Sequence, residues 1–421
     1  MRRNIFFSFI IIAALLLSGC SFGGEIGTML APPAMSIGRE ALTGAIREAI
    51  GGSYELVYPQ AGSYRTGIIS EDLDGDGETE AICFYRAEGK LGFLVMQSAE
   101  EGWRVMSKGK SNASSVGRVA FGDLTGDGLA EVIVGWQYLT EADGSFEIFS
   151  ISSTKAKSRH SGLYTRFVVL EGEPDALVVV SRNAETRAVT ASLVGIYQNE
   201  IGVINTVAMN DRAVDYMSIQ PGKVKGALPA VFVDEQLEGG QFITEVLVIN
   251  DQGRLSNELI NQVELSTLRY TAAYCKDIDK DGITEVPAEL ALPSYRRNGV
   301  DENLYLIQWN AYDGQQFYPV SQSFINSTEN FSVKIPEEWE GRLKIERPED
   351  NDRSFLFKTR DGSALFTIRV YGLAEFSEDL MRKGWRKLYT DSDRVYTVHC
   401  EENNPFDVTY TQIYGLFEAI S

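Results

Sequence analysis

The chain has 421 residues, enough for about three average domains or one large β-architecture with a smaller companion. Apolar residues make up 44% and charged residues 23%, which excludes wholesale disorder. Asp and Glu number 59 against 39 Lys and Arg, and the resulting charge of −20 repels phosphate backbones, so no nucleic-acid partner is expected. Only two histidines, His160 and His399, are present, which is thin for zinc ligation or a histidine-based triad.

Arg2 and Arg3 precede an apolar run from Ile5 to Leu17, too short to span a bilayer, and the run ends in Leu17-Ser18-Gly19-Cys20. This arrangement resembles a bacterial lipoprotein signal. The resemblance implies that residues 1–19 are removed and that Cys20 is acylated as the mature N-terminus, giving a protein lipid-anchored to the outside of the cell membrane. Cleavage removes both arginines and no acid, so the mature chain is more negative still. Its bulk charge opposes anionic headgroups, and acyl chains must supply the membrane attachment.

Residues 20–53 read as a lipidated tether and one helix. The stretch after Cys20 is rich in Gly, Pro and Ser. From Ser36 as N-cap, Ile37, Ala41, Leu42, Ala45, Ile46, Ala49 and Ile50 fall at helical spacing, with Gly51 and Gly52 ending the run. The remaining cysteines, Cys83, Cys275 and Cys400, form no CxxC pair and read as buried thiols. A Cys83 to Cys275 bridge stays open, because a ring of repeats would bring its two ends together.

Three acidic loops organise the middle of the chain: Asp72-Leu-Asp74-Gly-Asp76-Gly-Glu78-Thr-Glu80, Asp123-Leu-Thr125-Gly-Asp127-Gly-Leu129-Ala-Glu131 and Asp277-Ile-Asp279-Lys-Asp281-Gly-Ile283-Thr-Glu285. Each is followed by a short apolar strand. The first two loops are 51 residues apart and the second and third 154, close to three times as many, so two worn copies are expected between them. Matching the strand entries places Leu177 and Ala230 at the ninth position of those copies. Each unit reads as four strands. In the second these are Arg118–Gly122, Glu131–Tyr138, Ser145–Ser150 and a run ending near Tyr164. Four strands per unit of this length predict a β-propeller over residues 54–322, most simply of five blades, with six or seven as alternatives.

The loops resemble those of the FG-GAP/VCBS repeat family, the calcium-binding blades of integrin α-subunit propellers and bacterial surface proteins. The resemblance implies that side chains at loop positions 1, 3, 5 and 9, with the carbonyl at position 7, ligate Ca²⁺. The first site would be Asp72, Asp74, Asp76 and Glu80 with the carbonyl of Glu78. The second would be Asp123, Thr125, Asp127 and Glu131 with that of Leu129, and the third Asp277, Asp279, Asp281 and Glu285 with that of Ile283. Three departures from the family pattern stand out: Glu at position 9, a neutral Thr125, and a Phe-Gly lead-in present only as Phe121-Gly122.

The chemistry stands apart from the family. Ca²⁺ takes about six to eight oxygens, and alternate carboxylates on a tight loop can point inward together. An EF-hand requires a bidentate Glu at position 12, where this chain has Cys83, Val134 and Ala288. A strand rather than a helix follows, so the helical hand is excluded.

Residues 323–421 lose the repeat and read as a small α+β domain: strands at Phe331–Ile335, Ser354–Lys358, Leu365–Tyr371 and Arg394–His399, a helical patch at Ser377–Leu388, and a last apolar run from Val408 to Ile420. Trp339 and His399 read as packed residues. No G-x-S-x-G, Walker, G-x-G-x-x-G or H-E-x-x-H motif is present. The expectation is a mainly β, calcium-braced lipoprotein that presents a non-catalytic face to a protein or glycan. The rival is a propeller-fold lyase or glycosidase, which would turn a perturbed carboxylate or a Tyr/Arg pair into one deep pocket.

Overall fold

The computed structural model describes residues 37–100, 102–139, 144–152, 155–349 and 351–420. Cys20 and the signal and tether segments lie outside these. The protein is mainly β, with 55% of residues in strands against 8% in helix, and its sheets are antiparallel.

Helix α1 spans Ile37–Ile50, where the sequence places it, and Gly51 ends it at φ +72° with its N–H on the Arg47 carbonyl. Five sheets follow in chain order. The second is a meander of Ser115–Gly122, Glu131–Gln137, Gly144–Ser152 and Lys155–Tyr164, close to the four strands read from sequence. The third (Arg166–Leu170, Ala176–Arg182, Val189–Tyr197, Glu200–Met209) and the fourth (Ala213–Lys223, Pro229–Leu237, Phe242–Ile249, Leu255–Ser256) repeat the plan. In the first sheet (Ile68–Glu71, Glu80–Ala87, Lys90–Ala99, Gly102–Ser111) a short strand, Glu55–Val57, pairs with the far end of Glu80–Ala87, on the same edge as Ile68–Glu71.

Strand alternation decides how the sheets stack. Successive side chains point to opposite faces, so a strand that is apolar at every position must be covered on both sides. In the third sheet, Leu177 and Val179 meet Ile133 and Ile148 of the second, while Val178 and Val180 meet Val231 and Val233 of the fourth. In the fourth, Ala230 and Phe232 turn the other way and meet Val286 and Tyr312 of the fifth. Ile82 and Phe84 of the first likewise meet Val119, Val134 and Trp136 of the second.

The two ends of this row are covered by other elements. The outer face of the first sheet, Ala81, Cys83, Leu94 and Met96, lies under Leu42 and Ile46 of α1. The fifth sheet (Val286–Ala291, Tyr305–Tyr312, Phe317–Asn326) continues into Phe331–Ile335 and Phe417–Ala419. The expected domain limit at 322/323 therefore falls inside one strand. Leu306, Phe324 and Phe331 pack there against Phe355, Phe357 and Phe366 of a separate C-terminal five-stranded sheet. Among the described residues, no hydrophobic cluster joins the first sheet to the fifth.

Cys83 and Cys275 are unpaired buried thiols, because they occupy clusters at opposite ends of the row: under α1, and between sheets four and five. One C-terminal reading is corrected and one run gains a definite structure. The patch at 377–388 is a 3-10 segment, Glu378–Lys383, followed after Gly384 (φ +85°) by an edge strand, Arg386–Thr390. The last run contains helix α2, Tyr410–Leu416, because the Thr409 side chain accepts the Gln412 N–H as an N-cap. Trp339 is buried against Phe366 and Phe406, as read.

If α1 is an end cap, Ile46→Ala costs about 3 kcal/mol of unfolding free energy by urea denaturation. Glu48→Ala on its exposed side changes it by less than about 0.5 kcal/mol.

Candidate metal centres

Each acidic loop leads into an apolar strand: the first two follow the preceding strand of the same sheet, while the third comes before the first strand of the fifth sheet, Val286–Ala291, with a single bridge between Lys276 and Glu285. The first turn of each loop is closed by the aspartate at position 1. Asp72 accepts the Gly75 N–H on Oδ1 (2.7 Å) and the Gly77 N–H on Oδ2 (3.0 Å). Asp123 does the same with Gly126 and Gly128, and Asp277 with Lys280 and Gly282. Position 4 is left-handed in all three: Gly75 at φ +70°, Gly126 at +73°, Lys280 at +66°. The position-5 carboxylates of Asp76, Asp127 and Asp281 accept the N–H of Glu78, Leu129 and Ile283. Three separate segments thus adopt one backbone geometry.

The ninth residue is the buried member. Glu80, Glu131 and Glu285 are 0%, 2% and 0% exposed, and each accepts the N–H of position 2 (Leu73, Leu124, Ile278) on Oε2. Oε1 of Glu80 and of Glu285 has no hydrogen-bond partner. Burial pushes all three carboxyls up, the loop aspartates push them further, and Glu285 rises to about 7. A sealed carboxylate oxygen aimed at other carboxylates is costly unless a cation meets it.

Two loops gather a donor set. One oxygen each of Asp72, Asp74 and Glu80 lies within 4.8 Å of the others, and the same holds for Asp277, Asp279 and Glu285. Asp76 and Asp281 stay outside these groups. The residues present fit a hard cation with all-oxygen ligands. The middle loop does not form such a group among the described residues. Thr125 replaces a carboxylate and donates to Asp123 Oδ1 (3.4 Å), and Glu131 Oε1 already accepts from Ser150 Oγ (2.8 Å). The worn copies lack the ninth ligand, since Leu177 and Ala230 are apolar and fully buried there.

Residues in the strands paired alongside the ninth position, which the motif gave no means of finding, set these differences. Extending the ladders by one residue puts Gln97, Ser150 and Ala311 across from Glu80, Glu131 and Glu285. Gln97 donates to Asp74 (3.1 Å), Ser150 satisfies Glu131, and Ala311 offers nothing to Glu285. Neighbouring loops are also tied together. The Ala130 N–H donates to the Leu73 carbonyl, that of Asp175 to Asp123, and that of Thr284 to Lys223.

A second acidic group lies away from the loops. Glu235 and Glu245, both 0% exposed, are sealed at the interface of sheets three and four beside Tyr216, whose hydroxyl is unpartnered. Burial raises both carboxyls, and the charge of Glu245 drives Glu235 well above the usual range.

No protein-family model and no curated protein matches this chain. Solved structures that resemble it include a protein from Lactobacillus plantarum (TM-score 0.30, 10% identity, 72% of this chain and 84% of that one). Two rhamnogalacturonan lyases are also similar: the exotype YesX (TM-score 0.27, 10% identity, 76% and 73%) and YesW (TM-score 0.31, 12% identity, 75% and 72%). At these scores the likeness carries no functional argument.

Glu235 sets a pH dependence. The folded protein holds a proton that the unfolded chain releases above about 4.5, so this group's contribution is full below that pH and is lost as pH rises. The variant Glu235→Gln removes that loss: its melting temperature should exceed that of the parent at pH 8 and converge with it near pH 4, in scanning calorimetry at fixed calcium.

Proposed function

We propose that this protein is a lipid-anchored extracytoplasmic bacterial lipoprotein whose five sheets, of four or five strands each, are the blades of a propeller-type array braced by calcium, and that it serves as a non-catalytic scaffold for a protein or glycan. Two observations carry the calcium reading: Glu80 and Glu285 each keep a buried Oε1 without a hydrogen-bond partner, and each places a carboxylate oxygen within 4.8 Å of oxygens of two loop aspartates. The lipoprotein reading rests on the apolar run and Leu17-Ser18-Gly19-Cys20.

Calcium supplies charge neutralisation here, and the chain's own residues hold the loops ready for it. The position-1 aspartates organise the backbone, the position-3 aspartates add charge, and the buried glutamates provide the inner wall. The rival enzyme reading requires a perturbed acid, with Tyr or Arg, open to substrate. The acid raised furthest, Glu235, which lies with Glu245 beside Tyr216, is instead closed to solvent between two sheets. A polymer has no route to them.

At about 1 mM calcium and an affinity of about 0.1 mM, each filled site adds roughly 1.4 kcal/mol. Calorimetric melting in calcium and then in chelator should show a gain equivalent to about two such sites. Glu80→Gln and Glu285→Gln should each remove one site's share while leaving the chelated protein as stable as the parent or more so. Glu131→Gln should remove much less. Equal melting in calcium and chelator would overturn the reading.

A further inference from the structure

The charge is not spread evenly along the outer edges of the sheets. The outermost strand of the first sheet, Gly102–Ser111, carries Arg104, Lys108 and Lys110 and no acid. That of the second, Lys155–Tyr164, carries Lys155, Lys157 and Arg159 and no acid. The outermost strand of the third, Glu200–Met209, has one Glu and no Lys or Arg, and Leu255–Ser256 of the fourth has no charge at all. In a chain with 59 acidic and 39 basic residues, this concentrates cations on two adjoining edges.

The two edges are joined. The Ala156 N–H donates to Ser107 Oγ at 2.7 Å; Lys108 and Lys157 come next in their strands and, by alternation, leave this seam on opposite faces. Lys108 also donates to the Ala49 carbonyl at the C-terminal end of α1 (2.6 Å). Beside it, a recess of about 160 Å³ between α1 and the first sheet is lined by Lys90, Lys108 and Lys110, with Glu88 the one carboxylate among its lining residues. Lys90, Lys108, Lys110 and Lys157 are exposed, and among the described residues neither they nor Arg159 form an ion pair.

We propose that this basic rim is a membrane-docking surface that rests on the headgroups of anionic phospholipids. The place of the tether argues for that occupant. The chain reaches α1 at Ile37, 17 residues after Cys20, and α1 meets the rim at its other end, where Lys108 contacts the Ala49 carbonyl about 18 Å further along the helix. Seventeen residues reach at most about 60 Å, so a lipid on Cys20 confines the rim to the neighbourhood of the bilayer and raises its effective concentration there. The net charge does not forbid the contact. At physiological ionic strength the screening length is about 8 Å, so the headgroups respond to the cations they touch and not to acids on distant sheets. The rim sets which side of the array faces the membrane and leaves the later sheets and the C-terminal domain pointing away.

This inference rests on the lipoprotein reading, and the test separates the two. The full lipidated protein is reconstituted on vesicles of phosphatidylcholine alone or with phosphatidylglycerol, and lysine acetylation is followed residue by residue with mass spectrometry. Lys90, Lys108, Lys110 and Lys157 should react at least about fivefold more slowly on anionic than on neutral vesicles. Lys334, an exposed lysine of the strand Phe331–Ile335, should react equally on both. The protection should disappear in 0.5 M salt and, for Lys90 and Lys108, in a Lys110→Glu/Lys157→Glu variant with an unchanged melting temperature. Equal rates on the two vesicles overturn the proposal. Equal protection by inorganic phosphate in solution also overturns it, assigning the lysines to a phosphate pocket. Flotation with neutral vesicles, lost in Cys20→Ser, reads the lipid anchor independently. A chain that fails to float with neutral vesicles refutes the anchor alone, and salt-sensitive flotation with anionic vesicles then decides the rim.

Discussion

A four-stranded sheet that is apolar on both faces cannot stand by itself, and the rest of this structure follows from that constraint. Val178, Val179 and Val180 lie on three successive positions of one strand and are all fully buried or nearly so, which is possible only with a sheet on each side. Burial at roughly 25 cal/mol per Å² makes such stacking the dominant favourable term. It also obliges the row to end on something other than another sheet. Helix α1 is the solution at one end, and at the other the C-terminal sheet is. The latter explains why the fifth sheet runs without a break into Phe331–Ile335 and Phe417–Ala419: the cap is built onto the last repeat.

Stacking fixes the faces of the sheets, but it does little for the edges where the first hairpin of each unit turns. There the loops supply the order. The position-1 aspartates spend both carboxylate oxygens on backbone N–H groups of their own loop, and main-chain hydrogen bonds run from one loop to the next across the seams between sheets. A cation drawn in by the remaining carboxylates would tighten seams as well as loops. The orphaned oxygens of Glu80 and Glu285 are the local cost of a dry inner wall, one that a cation would offset.

Much of this was legible in the sequence, because repetition is a one-dimensional signal. The 51-residue spacing and the acid pattern located three hairpins, and matching strand entries placed Leu177 and Ala230 at the start of second strands, where they pair with Val169 and Gly222. Helix α1 was legible from its apolar spacing and glycine stop. The inequality of the three loops was not. It depends on Gln97, Ser150 and Ala311, which reach the ninth residue only across a strand ladder and share no residue type. The capped ends were equally hidden, since Ala81, Cys83 and Leu94 are apolar whether a sheet or a helix covers them. The C-terminal helix was not legible, because Tyr410–Leu416 carries β-favouring residues and only the cap from Thr409 commits it.

Net charge misleads in the same way that local propensity does. A total of −20 describes the chain, whereas a surface acts through the few groups within a screening length of its partner. The outer edges of the sheets are the least constrained positions in the stack, because they contribute little to the buried faces and tolerate any soluble residue. Charge can therefore be placed there without loss of packing, and it differs from one repeat to the next: basic on the first two edges, nearly neutral on the following two. The repeats agree where the core demands agreement and diverge at the rim, so the physical basis for a functional distinction between one end of the array and the other lies in the strands that matter least to its stability.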